Sequence, residues 1–71
     1  AVNDLTSALQ VRPDWPEALF CRGLALQAVG NWHGAISDLN RYLILGDSTW
    51  REAAQRQLSL LRALVQEMAQ K

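Results

Sequence analysis

Apolar residues along this chain fall into four runs with helical spacing. Val2, Leu5 and Leu9 recur at threes and fours and Val11 closes the run, which predicts a helix over about 1–11. Arg12-Pro13-Asp14-Trp15-Pro16-Glu17 reads as a stop followed by a start. Pro13 cannot continue a helix and pushes Arg12 out of helical geometry. Pro16 suits a first helical position, where its missing N–H costs nothing, and Asp14 with Glu17 has the spacing of a capping pair. A second helix is expected over about 16–29. Its apolar positions, Leu19, Phe20, Gly23, Leu24, Leu26 and Ala28, lie on more than one side, as in a helix wedged between two others. Gly30-Asn31 ends it and caps the next. That third helix, about 32–45, has Ala35, Ile36, Leu39, Tyr42 and Leu43 as its inner face, with Gly46 as its stop. Thr49 and Glu52 form a second capping-box pattern, opening a last helix over about 50–69. Its stripe is Ala54, Leu58, Leu61, Val65 and Met68, and its polar Arg51, Gln55, Arg62 and Gln66 should meet water. No segment reads as a strand, so the fold class is all-α with four helices.

The chain also repeats itself. Moved along by 34 positions, Ala1 falls on Ala35, Asp4 on Asp38, Leu5 on Leu39 and Leu9 on Leu43, with Val2 on Ile36 and Val11 on Leu45. The matches keep the spacing of one helical face, and 34 is the period of the tetratricopeptide repeat. Leu19, Gly23, Leu26, Gly30, Trp32, Ala35 and Leu39, with Pro13 before them, resemble that family's signature. The resemblance implies antiparallel hairpins stacked as a short right-handed solenoid. Gly23 and Ala35 would be the small residues that let two helices approach, and Trp32 the aromatic after the turn. It divides one domain, 1–71, into the second half of a repeat (1–14), a full repeat (15–46) and a C-terminal capping helix (47–71). The sequence departs from the family pattern at Tyr42, where a small residue is usual, and at Asp47, where a proline is. Gln57 stands near an expected glycine.

Composition narrows the function classes. Seven Lys and Arg balance seven Asp and Glu, and the charges are scattered. Nucleic-acid and membrane-surface binders usually carry a basic excess. There is no apolar run of the roughly 20 residues a membrane helix needs, nor a signal-peptide pattern at the start. A lone cysteine suits a reducing compartment, so a cytoplasmic location is expected. One cysteine and one histidine exclude an internal disulfide and a His/Cys metal cluster.

Catalytic groups are sparse. Cys21 sits mid-helix, and Arg22 beside it in sequence does not face it, so a buried packing role is expected. His33, just past a turn, is expected to be solvent-exposed. The carboxylates read as helix starts or exposed faces, none with metal-loop spacing. No enzymatic activity and no cofactor is expected. Trp15 and Trp50, both at helix starts, suit either packing against a neighbouring hairpin or a partner surface.

In the family that the chain resembles, the first helix of each hairpin lines a concave groove. By that geometry Glu17, Phe20, Cys21, Leu24 and Gln27 would face a protein or peptide partner. Chaperone-binding relatives place Lys, Arg and Asn there to clamp a carboxylate; this chain does not. The expected function is therefore protein–protein interaction or scaffolding. One alternative is a non-catalytic tail of a larger enzyme, since the stretch from Arg22 to Arg62, with Asp38-Leu39-x-x-Tyr42-Leu43 and Leu58-x-x-Leu61-Arg62, resembles the tail of a transglutaminase-like family. Another is self-association, with Val2, Leu5 and Leu9 of the first helix pairing with a second copy.

Overall fold

The computed structural model describes residues 2–69. They form four helices and no strand: α1 (Val2–Val11), α2 (Pro16–Ala28), α3 (Trp32–Leu45) and α4 (Arg51–Ala69). Ala1, the first residue of the expected helix, lies outside the described residues. Connections this short between helices turn each one back along its predecessor. Extensive packing is confined to consecutive pairs, α1 with α2, α2 with α3 and α3 with α4. The result is a slab of 39 × 25 × 14 Å. No helix among the described residues is long and apolar enough to cross a membrane.

The turn between α2 and α3 follows from Gly30-Asn31. Gly30 takes φ +85°, which a side chain would resist. Its N–H donates to the Gln27 carbonyl at 3.1 Å and that of Asn31 to the Leu26 carbonyl at 2.8 Å, the paired bonds that close a helix C-terminus. Asn31 Oδ1 then accepts the Gly34 N–H at 3.0 Å and caps α3. Val29, expected inside α2, is its C-cap.

Both capping pairs expected of the acidic residues fail, each because the helix starts one residue late for them. Pro16 occupies the first turn of α2, so Trp15 is the N-cap and Asp14 lies before it; no side chain caps this end. Asp14 instead meets Arg41 of α3, 3.3 Å away, on the surface. At α4, the Trp50 carbonyl already accepts the Ala54 N–H, which leaves Thr49 outside the cap position. Asp47 orders the connection before it: its Oδ2 accepts the Thr49 N–H at 3.2 Å.

The core runs through all four helices: Leu9 from α1, Leu19 and Phe20 from α2, Leu39 and Tyr42 from α3, Leu58 and Leu61 from α4, with alanines between. Gly23 is buried where α2 packs against α3. A Cβ there would lie 3.1 Å from Leu39 Cγ and 3.5 Å from the Ala35 carbonyl oxygen. Tyr42 joins α3 to α4. It is fully buried, its hydroxyl donates to Asp47 Oδ2 at 2.6 Å, and the same oxygen accepts the Trp50 N–H at 2.7 Å.

Candidate binding surface

Five residues of α2 are expected to face a groove, and the structure separates them. Glu17, Cys21 and Leu24 share an exposed flank of the helix, and Gln27 is half-buried one turn on. Phe20 is not on that surface. It is 8% exposed and lies face to face with Trp50, ring centroids 5.2 Å apart and planes 8° from parallel, with Tyr42 at 5.6 Å. The start of α4 covers it, so it is core. Cys21 corrects the opposite way: expected to be buried, it is exposed. His33 is exposed, as its place after the turn suggests.

The α1 residues divide as well. Leu9 is buried in the shared core, where α1 packs on α2, and is unavailable to a second copy. Val2 and Leu5 are half-buried.

Two clefts lie along α2, one against the connection before α4 and one against α4 itself. At the helix starts, Trp15 and Trp50 flank a cleft of ≈ 230 Å³ with Pro16, Glu17, Asp47 and Thr49. Both tryptophans are half-buried against the core, and the Arg12 guanidinium lies 5.2 Å from the Trp15 ring. Toward the other end of α2, a cleft of ≈ 310 Å³ is lined by Leu24, Gln27, Ala28, Trp32, Gln57 and Leu64. Its apolar walls are open to solvent: Leu24 is 38% and Leu64 42% exposed. Its two glutamines carry a polar anomaly. Gln27 Oε1 and Gln57 Oε1 are both cut off from solvent, and neither has a hydrogen-bond donor.

Ala28, Trp32, Gln57 and Leu64 are the cleft residues that sequence reasoning did not single out for a site. The signal is present in α4 as doublets, Ala53-Ala54, Leu60-Leu61 and Leu64-Val65, which widen the apolar face beyond one stripe. Gln57 interrupts that wide face.

A third cleft, of ≈ 390 Å³, lies where α1, α2 and α3 meet, with Thr6, Leu9, Arg22, Asp38 and Arg41 on its walls. Its charges are mutually engaged. Arg22 Nε donates to Asp38 Oδ2 at 2.6 Å and Nη2 to Oδ1 at 2.7 Å, a two-point pair between α2 and α3. Asp38, expected on an exposed face, is 5% exposed. The hydrogen bond to Asp38 raises the Arg22 pKa, against the opposing effect of burial. Tyr42 is also raised, by burial first and by its bond to the Asp47 carboxylate second. Among the described residues no group of three or more His, Cys, Asp or Glu could hold a metal ion. Comparison with family models, with curated proteins and with solved structures finds no match to this chain.

Proposed function

We propose that this chain is a tetratricopeptide-type helical-hairpin module whose task is to bind a protein or peptide partner, without chemistry of its own. The observation that carries the reading is the cleft between α2 and α4, where Leu24 and Leu64 stand open to solvent on facing helices. Leu24 belongs to the flank of α2 that the family resemblance assigns to ligands. The repeat part of the reading is supported by the self-match at 34 residues and by the close approach at Gly23, where the resemblance expects a small residue. Against catalysis stands the arrangement around the exposed thiol. Arg22, its sequence neighbour, is committed to Asp38 and does not activate it.

The test separates surface from core. Leu24→Ala should change stability by less than about 1 kcal/mol, the range for a partly exposed position. Phe20→Ala should cost about 3–5 kcal/mol, because it empties a packed aromatic site. Immobilised chain should capture a partner that Leu24→Arg and Leu64→Arg release while both variants unfold at the wild-type urea concentration. Capture untouched by either arginine would sink the reading, as would a failure to capture anything. In those cases the tail of a larger enzyme becomes the better account.

A further inference from the structure

We infer that α4 is the interface of a two-fold symmetric dimer, in which its outer face packs antiparallel on the same face of a second copy. This goes beyond the binding-module reading and meets that surface only at Leu64. Helix α4 carries two apolar stripes. Ala54, Leu58 and Leu61 are buried in the core. Ala53, Leu60, Leu64 and Met68 make the second stripe, spaced by seven and then by fours, which keeps them on one face. Among the described residues little covers it: Leu60 is 54%, Leu64 42% and Met68 50% exposed. Single apolar side chains on a surface are ordinary, and a helix packed on one side needs one stripe. Three large ones in line on a helix already packed by its other stripe are surplus to this fold.

The charges beside the stripe point to its occupant. Arg56 and Glu67 are exposed and run along the flank of the stripe that lies away from the core. They stand about three turns apart, or about 16 Å along the axis. Neither is in an ion pair among the described residues. A flank that holds both signs becomes its own complement when turned end for end. With a two-fold axis level with the midpoint of Leu61 and Arg62, position 56 stands opposite position 67. Arg56 then meets the partner's Glu67, and Glu67 meets the partner's Arg56, as an isologous interface requires. The same register fits the apolar stripe. Leu60 and Leu64 interleave with the partner's Leu64 and the partner's Leu60 around the axis, and Met68 reaches the partner's Ala53, large against small. A parallel pair instead sets like charges opposite each other at both positions. An anionic lipid surface is disfavoured too, because Glu52 and Glu67 are exposed along the same flank.

Sedimentation equilibrium of the whole chain tests this. One helix face from each copy makes an interface at the low end of specific ones, under about 1,200 Å² in total, so the dimer should form between roughly 100 μM and 1 mM chain and dissociate on dilution. Leu60→Arg should stay monomeric over that range while unfolding at the wild-type urea concentration, since the position is exposed. Arg56→Glu and Glu67→Arg, each alone, set like charges opposite each other at two symmetric places and should weaken association about tenfold. Mixed one to one, each variant supplies the charge that the other's flank lacks, and association should return to wild-type strength. Arg51→Glu makes the same change of net charge on the opposite side of α4 and should associate like the wild type. A wild-type chain that is monomeric at about 1 mM overturns the inference. So does a dimer that survives Leu60→Arg, which places the contact on another face. A mixture that fails to recover, or an Arg51→Glu variant weakened as much as Arg56→Glu, overturns the register on which the inference stands. The capture experiment, read with Leu24→Arg, decides the binding-module reading separately.

Discussion

At the scale of single residues, Tyr42 shows how one hydroxyl holds two elements. It donates to Asp47 in the connection and accepts from the first backbone N–H of the α4 start, all without contact with water. Tyr42→Phe fills the same space but strands the Trp50 N–H and one lone pair of Asp47, so a loss of about 1–3 kcal/mol is expected in urea unfolding. The pH dependence follows from the same surroundings. Burial and the Asp47 carboxylate both disfavour the phenolate, so the folded pKa stands above the ordinary value of about 10. The folded state therefore holds its proton where the unfolded chain has released it. This contribution is complete below about pH 10 and is lost as pH rises from there through the folded pKa. Tyr42 is the only tyrosine in the chain, so its phenolate absorbance tracks the step directly. In Tyr42→Phe the alkaline loss should flatten; an equally steep loss would mean that another group governs it.

Among the elements, the α2–α3 hairpin is held by the absence of an atom. Gly23→Ala gains up to about 1 kcal/mol of helix propensity. The new methyl would press to 3.1 Å on Leu39, which has no exposed side toward which to yield. Overpacking costs about 1–3 kcal/mol, so a net destabilisation is expected, and a calorimetric melting temperature that rises would contradict it. The same hairpin shows what sequence could and could not disclose. Helix positions were legible because their signals are local: apolar spacing, Pro16 at a start, Gly30 and Gly46 at stops. Only Val29 and Trp50 moved from helix to boundary. The caps were not legible, because Asp14 and Thr49 have the right neighbours but sit one residue outside the register that Trp15-Pro16 and Trp50 impose. The fate of Phe20 was hidden for another reason. It stands beside Cys21 and one turn before Leu24 in sequence, and what covers it arrives thirty residues later as Trp50. The Arg22–Asp38 pair had a signal that goes with hairpins: Arg22 stands seven residues before Val29 and Asp38 seven after Asn31, level with each other across the turn. The cleft needed both problems solved at once, since Gln27 and Gln57 meet only after α4 has docked.

For the whole molecule, the slab geometry decides how stability is distributed. Each helix leans almost wholly on its neighbours in sequence, so the chain has no element wrapped on all sides. Such architectures lose structure from the ends, where an element has one partner instead of two. Helix α1 contributes only Leu9 to the fully buried set, whereas α2 and α3 contribute four each. Amide hydrogen exchange should therefore be fastest in α1 and slowest around Leu19, Gly23 and Leu39. Protection that is uniform across the four helices would show a single cooperative unit instead. The placement of the three tryptophans gives this molecule a set of internal lamps. Trp15 sits at the joint of α1 and α2 under Arg12, Trp32 on the wall of the leucine cleft, and Trp50 flat against Phe20 where α4 docks. Retaining them one at a time would give three emission signals, each reporting a different seam. Fraying at one end, entry of a guest and release of the last helix could then be seen as separate colours of the same spectrum.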